Sequence, residues 1–220
     1  MVAEETSTLS RREQHKAATR EALLVAGRKV FGEVGYARAS LGGIAREARV
    51  TTGAVYHHFE DKADLFRVVA EGVEAEILHL VIKAADDLPP EDQLARLFAG
   101  FDVMLMSVAS PEVQRIAMMD APVVFGPDNW RKVEERYVYG ALRVAFSRLH
   151  ARGQLAPGVS LEALTPMLFG AMVEAAATVA GASNRDKARA EAKASLRLLL
   201  KGVLIEELSE PHSQNDKKRR

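Results

Sequence analysis

Cysteine is absent from all 220 residues. That excludes disulfides, thiolate metal sites and a cysteine nucleophile together, and it agrees with a reducing compartment. No apolar run reaches the roughly 18 residues a membrane span requires; the longest candidate, LFGAMVEAAATVAGA, is interrupted by Glu174. The opening MVAEETSTLS is acidic and polar, without the basic and apolar regions of a secretory leader. A cytoplasmic protein with no membrane partner is therefore expected. Pro, Gly and Ser are not in excess, and 48% hydrophobic with 27% charged residues is globular composition. There is no internal repeat and no sustained period-2 alternation, which points to an all-α fold.

Net charge is also missing, with 30 basic and 30 acidic side chains, but the balance hides an asymmetry. Residues 10–59 hold nine Lys/Arg against four Glu, a net of +5, whereas residues 60–216 hold 17 basic and 24 acidic groups. A basic head on an acidic body suits polyanion binding, because phosphate contacts supply most of the affinity and the body need not adhere.

Helical periodicity orders the rest. Leu23, Leu24, Gly27, Val30, Phe31 and Val34 share one side of a first helix, with Gly35 as its stop. Ser40 caps a short second helix, LGGIAREA, with Leu41, Ile44, Ala45 and Ala48 inward. Arg49 and Val50 make a tight turn, and Thr51 caps a third helix that ends near Phe59. Two short helices joined by such a turn and packed on a longer one form a helix-turn-helix. A long fourth helix runs from Lys62 to the break at Leu88-Pro89-Pro90, with Val69, Val73, Ile77 and Leu80 inward. A fifth follows, then a short sixth after Ser110-Pro111-Glu112 and a loop bounded by Pro122, Gly126 and Pro127. A seventh runs from about Asp128 to His150, an eighth from Ser160 with Pro166 kinking or delaying its start, and a ninth from Asn184. The expected organisation is a flexible terminus over 1–9, a helix-turn-helix head over 10–61, a larger helical domain over 62–208, and a disordered tail over 209–220. The total is about nine helices.

The third helix carries the chemistry. Val55 and Phe59 share a face, while His57 points the opposite way with Gly53 and Ala54 beside it and Thr52 and Tyr56 on the flank. Hydroxyls, an imidazole and a bare backbone suit a major groove. Thr51 and Thr52 can donate to phosphates or base edges, Ala54 can meet a thymine methyl, and Gly53 permits close approach. Tyr56 suits either the core or a phosphate oxygen, and its place beside Gly53 and His57 favours the phosphate. Lys62 brings an ammonium to the start of the next helix, where free amides also attract phosphate. His57 and Asp61 have i,i+4 spacing, but His57 and His58 diverge and no third ligand converges, so no metal is expected. His58 is read as packing beside Phe59.

These residues together resemble the DNA-binding domain of the TetR family of bacterial transcriptional regulators. The matching elements lie between Leu24 and Leu65: Phe31, Gly35 and Tyr36 in FGEVGY, Ser40, then Ile44, Ala45 and Ala48 in LGGIAREA, VTTGAVYHHF, and Lys62 and Leu65. The resemblance implies three N-terminal helices, a long fourth, and a helical domain that binds ligands and dimerises. It implies that Thr51, Thr52, Gly53, Ala54, Tyr56, His57 and Lys62 lie at the DNA, with Ser40 near its backbone. Arg49 stands where members of the family often have Gly, so either the turn avoids the left-handed conformation or Arg49 offsets the strain with a phosphate contact. Gly42 and Gly43 replace polar residues common in the second helix.

In the body, six of seven methionines fall between Met104 and Met172 among many aromatics. Adaptable thioethers and aromatic rings suit a permissive apolar pocket for a small lipophilic effector. The candidate lining is Phe101, Leu105, Met118, Met119, Trp130, Tyr137 and Met172, with Asp120 or Glu174 orienting a polar or cationic group; Glu174 serves either the pocket or an interface. Leu164, Leu168, Ala171, Ala175 and Val179, then Leu196, Leu199, Leu200, Val203 and Leu204, are candidates for a twofold four-helix homodimer interface. The resulting expectation is a ligand-responsive regulator without cofactor, a repressor by prevalence in the resembled family, released from a palindromic double-stranded operator. The rivals are a helical adaptor that binds a protein and a helical-bundle enzyme. For the enzyme, Asp102, Asp120, Glu134, Glu135 and Glu174 supply acids, but no Glu-x-x-His pair, phosphate loop or nucleophile with a positioned base accompanies them.

Overall fold

The structure, a computed structural model, describes residues 10–205. The expectations for residues 1–9 and for the tail, including KKRR, lie outside the described residues. Among the described residues the regular structure is helical, joined by turns and loops, with one isolated antiparallel bridge between Leu155 and Leu204. They form two compact units, the first running to Ala75 and including Pro111–Arg131, the second formed by Glu76–Ser110 and by the chain from Lys132 onward.

The first unit is built on α1 (Arg11–Arg38), opened by a capping box in which Ser10 and Glu13 satisfy each other's backbone amides. The expected stop at Gly35 is a kink instead: φ is 79° and ψ 163° there, and one more turn follows to Arg38. Only glycine tolerates that region, so the helix changes direction without ending. Helices α2 (Leu41–Glu47) and α3 (Thr52–His58) then pack on α1 through Ile44, Ala45, Val55 and Phe59, all buried with Leu23 and Phe31. Helix α4 (Lys62–Asp86) begins in this unit, where Leu65, Phe66 and Val69 join the core, and ends in the second. Leu80, expected inward, is 41% exposed.

The segment 111–131 was expected to be a short helix and a loop. It folds as a single turn α6 (Pro111–Val113), a π-helical stretch over Gln114–Asp120, then α7 (Ala121–Phe125) and the start of α8 (Pro127–Glu134). It packs on α1: Arg28 pairs with Glu112 at 2.6 Å, and the Asp120 carboxylate accepts the Tyr36 amide at 2.7 Å. A Cβ on Gly32 would lie 2.7 Å from Glu112 Cγ, so this approach depends on the missing side chain.

In the second unit α5 (Gln93–Val108), α9 (Val138–Ala151), α10 (Leu161–Gly181) and α11 (Arg185–Lys201) pack around Leu97, Phe101, Phe146, Phe169, Met172 and Leu200. The expected helix from Asp128 to His150 is two helices, α8 and α9, separated by a turn at Glu135–Tyr137. Gly140 makes that turn possible, because any Cβ there would collide with the Glu135 carbonyl. Counted this way the described helices exceed nine. Helix α10 starts on time at Leu161 and takes Pro166 inside it, with Ser160 as cap. Its 21 residues have a mean hydropathy of 1.5 over the most apolar stretch, enough by length and composition for a membrane span despite Glu174. Leu164, Leu168, Phe169, Met172, Ala176 and Val179 are nonetheless buried within the unit, as in a core helix.

Candidate nucleic-acid interface and ligand cavity

The supporting side of α3 is closed and its outer side is open. Val55 is 0% exposed and Phe59 2%, whereas Tyr56 is 61% exposed and Thr51, Thr52, Gly53 and His57 are all exposed. Ala54 is half-buried. Thr51 accepts the Ala54 amide at 3.2 Å as N-cap, which leaves its hydroxyl proton free to donate. Ser40 caps α2 in the same way, accepting from the Gly43 amide at 3.1 Å. Nothing lies within 4 Å of a Cβ built on Gly42, so that position is open surface.

The turn between the two helices settles the question posed by Arg49. It has φ of 56°, the one positive value at a non-glycine residue among the described residues. Its amide donates to the Arg46 carbonyl and the Val50 amide to the Ala45 carbonyl, at 3.1 and 2.9 Å. This pair of bonds is a Schellman motif with arginine in the left-handed position that glycine usually fills. The turn therefore accepts the strain, and the Arg49 side chain is exposed.

Lys62 sits differently from a free ammonium. Nζ donates to the Tyr36 and Ala39 carbonyls at 2.9 and 3.1 Å and lies 4.2 Å from the centre of the Tyr36 ring. It closes the last carbonyls of α1 onto the first turn of α4, and one of its three N–H groups remains for another acceptor. Burial, with Asp61 nearby, raises the Tyr36 phenol above its ordinary pKa.

His58 occupies the rear of the helix. Its ring lies 6.4 Å from that of Phe59, and its carbonyl receives Arg20, whose guanidinium stacks 4.5 Å from the Phe59 ring. Partial burial first, then the positive neighbours His57, Lys16 and Arg20, lower its pKa below 6.5. The end of α3 is thus flanked by cations from α1, a contribution that pattern reading of α3 alone did not reach.

The second unit holds a cavity of about 610 Å³ whose walls come from α4, α5, α9, α10 and the turn before α9. Of the candidate lining residues, Phe101, Tyr137 and Met172 are in its wall. Leu105 is buried in the core of α5 nearby but outside the wall. Met118, Met119, Asp120 and Trp130 belong to the first unit. Met119 is 62% exposed, Asp120 holds the Tyr36 amide, and Trp130 is buried with its ring stacked on Phe125. Glu174 is exposed on α10. The wall also contains Arg96 and Arg148, which were not foreseen; Arg148 shares a face with Ala141, Val144 and Ala145 at helical spacing.

The candidate interface residues on α10 and α11 mostly fill the seam between those two helices. Leu164, Leu168, Val179, Leu196, Leu200 and Leu204 are buried, Ala171, Ala175 and Val203 half-buried, and Leu199 exposed. Besides Leu199, the large apolar groups left open on these two helices are Met167 at 72% and Leu198 at 68%.

Residues 23–69 match the family described as bacterial regulatory proteins, tetR family, and residues 94–203 match the tetracyclin repressor-like C-terminal domain. The chain is similar to the HTH-type transcriptional regulator AcrR of Shigella flexneri, 35% identical over 105 residues that cover 48% of each chain. It is also similar to the HTH-type transcriptional repressor BepR of Brucella suis, 46% identical over 61 residues covering 28% of this chain and 29% of that one. These alignments span about half or less of the curated relatives. A solved TetR-family transcriptional regulator from Pectobacterium atrosepticum is similar over 90% of this chain and 98% of its own, with 32% identity and a TM-score of 0.69. Those relatives are regulators, and the helix-turn-helix described above lies within the matched head. The chain belongs to the TetR family of bacterial regulatory proteins.

Proposed function

We propose that the protein is a sequence-specific DNA-binding transcriptional regulator, a repressor that leaves its operator when a small lipophilic effector fills the cavity of the second unit. The observation that carries this reading is the exposure pattern of α3. A helix held from behind by Val55 and Phe59 offers Thr52, Gly53, Tyr56 and His57 to solvent, and such a surface fits a major groove. The exposed Arg49 and the capped Thr51 and Ser40 flank it as donors to backbone phosphates, and the remaining proton of Lys62 serves the same end.

A homodimer follows from α10 and α11. Only 39% of the most apolar stretch of α10 is buried within the chain, so the rest calls for cover. A second copy laid across Ala163, Met167, Gly170, Leu198 and Leu199 would supply it and give two recognition helices for a near-palindromic site. Glu174 lies on the same open side of α10 as Met167 and Gly170, which favours the interface over the cavity for this residue.

Selection from random oligonucleotides should return a palindromic duplex whose affinity falls steeply with salt. Tyr56→Phe should weaken binding to it while leaving the melting temperature unchanged, since the ring is 61% exposed. Recovery of no preferred duplex would end the regulator reading in favour of a protein-binding adaptor.

A further inference from the structure

The chemistry of the effector can be read from the cavity wall, on the premise that the second unit is the effector domain. Most of the wall is apolar, with Val81, Leu97, Phe101, Leu142 and Met172 among its residues. Its charged members are four arginines, 96, 136, 143 and 148, against two carboxylates, Asp86 and Glu135. The acids expected from the sequence to greet a cationic group, Asp120 and Glu174, are not in the wall.

The charges are arranged by end. At the end formed by the finish of α4 and the start of α5, Asp86 is taken up by Arg96, 2.7 Å away, and a second Arg96 nitrogen donates to the Leu88 carbonyl at 2.9 Å. A guanidinium has five N–H donors, so two used leave three. The Arg96 side chain is only 15% exposed. Arg148 is exposed, has no side-chain acceptor among the described residues, and stands one turn before Arg152, whose guanidinium donates to the Glu91 and Pro90 carbonyls at this same end. Glu135 belongs to the turn before α9, thirteen positions from Arg148 along the chain and so about 20 Å from it at the rise of a helix. It is too distant to neutralise that guanidinium.

An apolar cleft, partly open to solvent, that carries one shielded and one exposed, unmatched guanidinium at one end repels a cation and attracts an anion. Arginine also presents a planar fork that suits a carboxylate. We propose that this cavity binds an amphipathic anion, an unbranched aliphatic body along Val81, Leu97, Phe101 and Met172 with a carboxylate held by Arg148 beside Arg96. The volume of about 610 Å³ is within the usual range for small-molecule pockets.

The test uses the full chain and three probes with the same tail below their micelle concentrations: decanoate, 1-decanol and decyltrimethylammonium, each titrated by calorimetry. Decanoate should bind at least about tenfold tighter than either analogue. Arg148→Gln should lower decanoate affinity about tenfold and leave 1-decanol unchanged, since one charge-assisted contact is lost, whereas Arg148→Lys, which keeps the charge without the fork, should fall between the two. Ala141→Trp, which fills the wall, should abolish uptake with the helical circular dichroism preserved. Equal or better binding of the cation, an unchanged decanoate affinity in Arg148→Gln, uptake by Ala141→Trp, or no binding of any probe would each overturn the proposal. The titration reads the protein without DNA, so a failed operator selection would sink the regulator reading while leaving this result interpretable.

Discussion

Arg49 offers a substitution whose effects on folding and on DNA binding have opposite signs. Its φ of 56° puts an L side chain in the left-handed region, which costs about 1–2 kcal/mol relative to an unstrained residue. Glycine at this position removes that strain but adds about 0.4–1 kcal/mol of freedom to the unfolded chain. The net expectation for Arg49→Gly is a gain of about 0.5–1 kcal/mol, or roughly 1–4 °C in the thermal midpoint of a chain this size. No packing is lost, because the side chain is exposed and the turn's two backbone bonds, Arg49 N–H to Arg46 and Val50 N–H to Ala45, do not involve it. On the operator the same change removes a guanidinium from a turn beside the recognition helix. The slope of log affinity against log salt should then fall by about 0.9, the value of one phosphate contact. Thermal melts without DNA and fluorescence anisotropy at four or so salt concentrations measure the two effects separately. A lower midpoint would mean that the arginine relieves its own strain through packing, and an unchanged salt slope would mean that it contacts no phosphate. Either result refutes its half of the reasoning.

Gly35→Ala should lower the midpoint by roughly 2–10 °C, since φ 79° with ψ 163° costs a side chain about 1–3 kcal/mol, and the new Cβ would sit 3.3 Å from the Asp120 carboxylate; a melt indistinguishable from the parent would remove the kink from the account. Leu198→Glu should give monomers by light scattering at micromolar concentration with helicity retained, because the side chain is 68% exposed in the single chain; dimers of normal stability would place the interface elsewhere. For His58, burial and then the cations His57, Lys16 and Arg20 lower the folded pKa below 6.5, so the folded state binds fewer protons than the unfolded one. Its contribution to stability is thus complete above pH 6.5 and is lost as the pH falls through the window below it. His58→Gln should flatten this profile in melts taken across the pH range; a parallel pH dependence in His58→Gln would assign the effect to another group.

What could be read from the sequence was what local spacing controls. The caps at Ser40, Thr51, Ser160 and Asn184 and the division of α3 into a Val55–Phe59 side and a Tyr56–His57 side follow from residue type and a repeat of 3.6, and the structure has them. The misses occur where a distant segment decides. Gly35 reads as a stop by its own propensity, yet the chain resumes its helix because Asp120, 84 positions away, takes the Tyr36 amide beyond the kink. The π-helical stretch before Asp120 was invisible for the same reason; its wider turn, with the Ala121 amide on the Ile116 carbonyl, is not encoded in apolar spacing. The break between α8 and α9 had one local signal, Gly140, which an isolated glycine inside a helical pattern does not distinguish from a tolerated one. On α10 and α11 the regular leucine spacing identified a buried stripe, but such a stripe marks the chain's own seam as readily as a partner's, and Met167 and Leu198 fall outside it.

The way the backbone is shared between the two units bears on how an effector could act. It passes from one to the other inside α4 between Ala75 and Glu76, between Ser110 and Pro111, and inside α8 between Arg131 and Lys132. Two of the three passages are therefore helical. The segment between the second and third passages is tied to α1 by Glu112 on Arg28 and by Asp120 on the Tyr36 amide. From α8 inward, Trp130 stacks on Phe125, Phe125 on Phe66, and Phe66 meets Phe31 and Tyr36, the ring over which Lys62 lies. At its other end α8 leads directly into Glu135–Val138, part of the cavity wall. Under the proposed function the effector has no need to approach α3; it has only to bind one conformation of the chain better than another, and that difference in affinity sets the whole of the response.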